Sequence, residues 1–207
     1  MNNNIISFDR LLFKGNSSII VIGTHNKNFI IKDILYLLKD ISFGIVVSEN
    51  ELYYKLFSRE YIYKTFTPEL IVKLKKKQLI AKNETSLMII DTGNSKEHLQ
   101  DMYQLMMICK DYEITTLVFI DDLIDVNFDF NEISYVFILK EIEETKKRLI
   151  FSYFNYAFKN YDNFNILMNK LTGSHSMLIY KNKSYCFRNY LHYMYKMVCY
   201  DYKFSVI

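Results

Sequence analysis

Short β-branched runs in which almost every position is apolar alternate along this chain with longer stretches whose apolar residues recur at helical spacing. The apolar runs predict strands at about 18–23, 44–48, 86–91, 115–120, 134–139 and 176–180. A strand covered on both faces loses the in/out alternation of a half-exposed one, so these runs point to a parallel sheet with helices on its faces. Helices are predicted at about 27–40, 50–57, 67–80, 95–111, 142–157 and 161–171. The order is that of an α/β fold, a mostly parallel sheet flanked by helices in a single domain.

The first helix carries Phe29, Ile30, Ile31, Ile34, Leu35, Leu37 and Leu38, apolar almost all round, as a helix buried beside a central sheet must be. The helix at 67–80 opens with Thr67, Pro68 and Glu69: an N-cap, a first-turn proline and an early carboxylate. Beyond Lys183 the pattern changes to Tyr185, Cys186, Phe187, Tyr190, Leu191, Tyr193, Met194, Tyr195, Met197, Val198 and Tyr200. Residues 184–207 therefore read as an aromatic-rich segment appended to a domain of residues 1–183. It is either a C-terminal helix packed on that domain or an exposed amphipathic surface that docks a partner.

At 207 residues the chain is long enough to bury a full core, and with half its residues apolar and 24% charged it has globular composition. Lysine outnumbers arginine 22 to 4, and Asn, Ile, Tyr and Phe abound, the bias of an AT-rich genome. A net charge of +3 does not by itself argue for nucleic acid. Cys109, Cys186 and Cys199 lack C-x-x-C spacing and are odd in number, which suggests neither a disulfide framework nor a zinc site and fits a reducing compartment. No window reaches about 18 uninterrupted apolar residues, and Met1-Asn2-Asn3-Asn4 does not begin a signal peptide. The expectation is an intracellular chain with no membrane partner.

The chemistry concentrates after the first strand, where Ile20-Val21-Ile22-Gly23 leads through Thr24-His25-Asn26 to Lys27 and Asn28. A phosphate-binding loop reads G-x-x-x-x-G-K-[ST], with glycine bending the backbone around phosphate, lysine neutralising it and a hydroxyl holding Mg²⁺. Gly23 and Lys27 are separated by three residues where the motif has five, a loss of roughly 7 Å of reach. The second glycine is absent and Asn28 stands in place of the hydroxyl. Gly23, Lys27 and Asn28 are thus the candidate vestigial nucleotide site.

With the strands placed, the chain resembles the genome-packaging ATPases of nucleocytoplasmic large DNA viruses, in the FtsK–HerA group of P-loop NTPases. The resemblance runs from about Ile19 to Tyr180 and rests on an ordered series of segments. These are Ile20–Gly23, Phe29–Tyr36, Gly44–Ser48, Thr67–Ile71 ending at Lys77-Gln78, Leu87–Asp91, and Ile133–Glu141. The family implies a motor that hydrolyses ATP with Mg²⁺ to drive a genome into a preformed shell. On that likeness Asp91, at the end of a later strand, matches the Walker B aspartate and joins the vestigial nucleotide site, while Thr92 replaces its acidic neighbour. Asp121-Asp122 stands where the family places a polar amide that senses the γ-phosphate. The run Phe128-Asp129-Phe130-Asn131-Glu132 has no arginine to offer a neighbouring subunit, and Arg148 survives only on the following helix. An arginine finger alone is worth roughly 10³–10⁵ in rate, so the resemblance implies a degenerate, catalytically degraded member.

Other residues carry weaker signals. Asp91, Asp121 and Asp122 either meet at the carboxyl edge of adjacent strands as oxygen ligands for Mg²⁺ or Mn²⁺, or merely cap a turn and begin a solvated loop. Lys73, Lys76 and Lys77, three and four apart around a helix, contact nucleic-acid phosphates or form a solvated face. Lys146, Lys147 and Arg148 follow Glu141, Glu143 and Glu144, which predicts pairing within the helix. His25, His98, His175 and His192 lack metal spacing, and nothing places an acid beside Ser174-His175-Ser176.

The expected function is that of a packaging-ATPase-like pseudoenzyme, a structural or regulatory subunit in genome packaging or virion assembly. It uses no cofactor, or Mg-ATP where the site still works. Its partners are proteins, a second copy or an active packaging ATPase among them, with DNA as a further candidate. The expected location is the host cytoplasm, a viral factory or the virion. Two alternatives remain: an active NTPase or DNA-translocating motor with a remodelled loop, and an α/β interaction module that self-assembles through its C-terminal tail.

Overall fold

The computed structural model describes residues 6–7, 15–38, 41, 43–81, 86–92, 96–123, 129–155, 158, 160–173, 176–182 and 192–198. Among them nine strands form one sheet: β1 (Ile6–Ser7), β2 (Ser18–Ile22), β3 (Phe43–Ser48), β4 (Ile62–Tyr63), β5 (Ser86–Asp91), β6 (Ile114–Ile120), β7 (Tyr135–Ile138), β8 (Ser176–Asn182) and β9 (His192–Val198). Their order across the sheet is β1-β9-β8-β7-β2-β6-β5-β3-β4. Strand β8 runs against both of its neighbours, and every other pairing among the described strands is parallel. The α/β expectation with a mostly parallel sheet therefore holds.

The centre is made by β2, β5, β6 and β7, in which every residue is buried. Register follows from that burial: β2 sits between β6 and β7, with Ile20 opposite Val118 on one side and Val136 on the other. Successive side chains point to opposite faces. Ile20 and Ile22 meet α2 (Glu69–Ala81), α3 (Lys96–Asp111), α4 (Glu144–Phe154) and α5 (Tyr161–Leu171) through Leu74, Met106, Phe154 and Phe164. Ile19 and Val21 instead meet Ile30, Ile31, Ile34 and Leu35 of α1 (Lys27–Leu37) and Tyr53. At Gly44 a Cβ would lie 2.9 Å from the carbonyl oxygen of Leu87, so only glycine lets β3 approach β5 this closely.

Three differences from the sequence expectation have physical causes. Residues 51–55 form a 3-10 turn rather than a helix over 50–57, because Asn50 caps it, its Oδ1 accepting from the Leu52 N–H at 3.0 Å, and the next apolar side chain turns inward at Tyr53. The helix of 142–157 begins only at Glu144, since Glu141 Oε1 accepts from the N–H groups of Ile142 and Glu143 and holds a turn there. In the C-terminal segment, residues 192–198 are strand β9 and not a helix. Their sequence is rich in tyrosine, which suits a strand. Residues 183–191, with the boundary at 183/184, lie outside the described residues. No helix among those described is long and apolar enough to cross a membrane.

Candidate functional site

Five parallel strands end at one edge of the sheet, the edge where α/β proteins place their ligands. There β2 delivers Gly23, β3 Ser48, β5 Asp91, β6 Asp121 and β7 Leu139. Gly23 has φ 109°, a conformation an L side chain rarely takes, and a Cβ would lie 3.1 Å from Leu139 Cβ. The backbone thus bends at Gly23 in the way the first glycine of a phosphate loop would need. Its amide is not free, however: the Gly23 N–H donates to Ile120 O at 2.8 Å, prolonging the β2–β6 ladder. The chain turns at Asn26, in the left-handed region at φ 54°, and Lys27 opens α1 with its N–H given to Thr24 O. Two of the loop's amides, those of Gly23 and Lys27, are thus committed to backbone carbonyls.

The Lys27 side chain turns inward to meet two carboxylates. Its Nζ lies 2.5 Å from Asp91 Oδ1 and 2.6 Å from Asp121 Oδ1, and 5.2 Å from the centre of the Phe119 ring. The Asp91 side chain is 5% exposed and that of Asp121 35%, so the lysine joins a buried anion to a half-open one. The second oxygen of Asp91 is also taken, accepting from the Tyr53 hydroxyl at 3.2 Å. Tyr53 is fully buried, and burial first, with the Asp91 charge second, pushes its phenol well above the usual range.

The outer part of the site is paired as well. Asp122 binds Lys146 of α4, whose pKa is raised chiefly by that hydrogen bond. A pocket of about 10 Å³, room for roughly one water, lies between Gly23, Asp121, Asp122, Leu139, Glu141 and Lys146. Asn28 is exposed on the first turn of α1, with its amide oxygen 3.5 Å from Asn50 Nδ2.

The sequence-predicted site residues are therefore brought together only in part. Gly23, Lys27, Asp91 and Asp121 converge, Asn28 borders them, and Asp122 faces Lys146. The three aspartates are divided between two lysines, and no cluster of three His, Cys, Asp or Glu among the described residues is arranged around a common metal position. As folded here, the residues do not fit Mg-ATP: the lysine is engaged, both Asp91 oxygens are occupied and an amide replaces the hydroxyl. Lys73 and Lys77 lie far along α2, against Tyr63 and Tyr61, with Lys76 exposed between them. Arg148 pairs with Glu144 at 3.2 Å and covers the Tyr161 ring at 4.2 Å, on the outside of α4. Ser174, His175 and Phe128 lie outside the described residues.

Sequence reasoning missed Tyr53 and misplaced the role of Asp121. The only trace of Tyr53 is an apolar position in a short segment after β3, and no motif marks it. Asp121 was legible as a carboxylate at a strand end but not as a partner for Lys27, because that pairing depends on the register of β2, β5 and β6.

Replacing Tyr53 with Phe removes one bond to Asp91 and a buried hydroxyl. With its folded pKa raised above the unfolded value, Tyr53 supports the fold fully below about pH 10. That support fades as pH rises, because only the unfolded chain gives up the proton readily. The Tyr53→Phe variant is expected to be less stable by about 1–2 kcal/mol at neutral pH. Its unfolding midpoint in urea should also fall less steeply than the parent's above about pH 10.

No protein-family model matches the chain, and no curated protein matches it. Solved structures do share its fold. The genome packaging NTPase B204 from Sulfolobus turreted icosahedral virus 2 in complex with ATP-gammaS matches over 89% of this chain and 100% of its own, at 16% identity and a TM-score of 0.57. The same protein in complex with AMP covers 90% of this chain and 100% of its own, at 13% identity and 0.56. B204, the DNA-packaging ATPase from Sulfolobus turreted icosahedral virus, covers 90% and 100%, at 15% identity and 0.53. At these identities the likeness is one of fold, extending over about nine-tenths of the chain.

Proposed function

We propose that this chain is a packaging-NTPase-like viral subunit whose nucleotide site is neutralised from within, and that it serves genome packaging or virion assembly as a structural or regulatory component. One observation carries the reading: the Lys27 ammonium is held between Asp91 and Asp121, with Tyr53 on the far oxygen of Asp91. A triphosphate entering here meets two carboxylates before it meets a free cation. The fold shared with B204 supports the packaging context, and the missing acidic neighbour at Thr92 agrees with lost turnover.

On this reading the chain acts through protein contacts, with a second copy or an active packaging ATPase as partner. It works in the infected cell's cytoplasm, a viral factory or the virion. A second reading draws on the positive φ of Gly23. The loop keeps its first bend, so a remodelled site in which Lys27 leaves its carboxylates for phosphate is the rival to test.

Calorimetric titration with a non-hydrolysable ATP analogue and Mg²⁺ separates the two. The expected result is no binding up to millimolar nucleotide. Micromolar binding, about −8 kcal/mol, that disappears in a Lys27→Ala variant would replace the pseudoenzyme reading with the active one.

A further inference from the structure

The outer face of α2 holds lysines that make no direct ion pair among the described residues, with Glu60 acting on Lys73 only at longer range. Lys73, Lys75, Lys76 and Lys77 crowd residues 73–77, and after Glu69 the helix has no acidic residue. The ion pairs among the described residues lie elsewhere, at Lys27, Lys110, Lys146 and Arg148. Aromatic rings fix the lysines in place. Lys73 donates to the Tyr63 hydroxyl at 2.5 Å with its Nζ 5.2 Å from that ring's centre. Lys77 donates to the Tyr61 hydroxyl at 3.2 Å, 4.5 Å from the centre of that ring and 5.4 Å from that of Phe43. On the other flank Lys75 lies 3.7 Å from the centre of the Tyr112 ring at the end of α3. The rings come from β3, the turn before β4, β4 itself and the end of α3, so the fold holds the ammonium groups where free lysine stems would wander.

We propose that this ridge, α2 with its flanking rings at the β4 edge of the sheet, binds the phosphate backbone of a nucleic acid without reading its sequence. Like charges three and four apart on one helix repel, and a polyanion relieves them. The lysine ammonium groups are point charges able to neutralise phosphates one by one. The ring faces already carry lysine, which leaves bases little to stack on and points to the backbone. None of these residues surrounds Lys27, so the proposal stands or falls apart from the reading of that site.

The test is fluorescence anisotropy of the full chain with labelled short DNA duplexes of two unrelated sequences over a range of salt. Equal affinity for both is expected, falling with salt. In a variant carrying Lys73→Ala, Lys76→Ala and Lys77→Ala the log–log salt slope should flatten by about 3, roughly 0.9 per lost phosphate contact. Arginine at the same three positions should keep the binding. The three side chains are exposed, so a thermal melt will verify that the alanine variant is folded. The proposal is overturned by no binding at low salt or by a slope unchanged in the alanine variant. It is equally overturned if poly-glutamate of matched charge displaces the probe as well as unlabelled duplex does, which would give the ridge to an acidic protein.

Discussion

A Lys27→Met variant is expected to lose about 3–5 kcal/mol of folding stability at neutral pH, the effect of stripping a largely buried carboxylate of its counter-ion. Asp91 is the anion at stake, since its side chain is almost closed to water and Tyr53 offers it only a neutral hydroxyl. For a domain of this size the loss corresponds to a fall in Tm of roughly 10 °C. Asp121→Asn should change stability by no more than about 1 kcal/mol, because its half-open side chain is screened by solvent. Adding Asp91→Asn to Lys27→Met should recover most of the loss, so the double-mutant cycle in urea will be strongly non-additive. A lysine kept in reserve for phosphate behaves otherwise: its removal would leave stability unchanged and abolish nucleotide binding.

A Phe154→Ala variant should be destabilised by a similar amount, about 3–5 kcal/mol, with no bearing on the charges at the sheet edge. Phe154 is fully buried at the end of α4, its ring centre 5.1 Å from that of Phe130 and 5.2 Å from that of Tyr180. It joins α4 to β8 and to the turn before β7. β8 pairs antiparallel with β7 and β9, so this ring secures α4 against the strand at which the sheet reverses direction. Urea midpoints for Phe154→Ala and Phe154→Leu check the assignment: the leucine variant should retain part of the lost stability.

The central strands were legible because burial on both faces leaves one kind of sequence, and Ile19–Ile22, Leu87–Ile90 and Leu117–Ile120 are that kind. The edges were not. β4 is two residues long, below the length at which any period is visible, and β1 is equally short. The segment 51–55 has helical spacing but is closed by Asn50 and fixed by what Tyr53 reaches across the sheet, a contact spanning 38 residues. At the candidate site Gly23 and Lys27 could be named from loop spacing, and Asp91 from the resemblance. Their charge state as a group could not, since Asp121 reads as an anion that repels phosphate until β6 is set beside β2. Then it becomes the anion that holds the lysine.

The two arms that hold Lys27 differ in their access to water, and this makes the site sensitive to ionic strength at its outer arm. Mobile ions reach Asp121 and weaken its hold, while Asp91 is shielded from them. Rising salt therefore does not free the lysine; it shifts the ammonium toward its inner partner and leaves Asp121 as the group released to solvent. Lowering the salt strengthens the outer arm and draws the ammonium and Asp121 together.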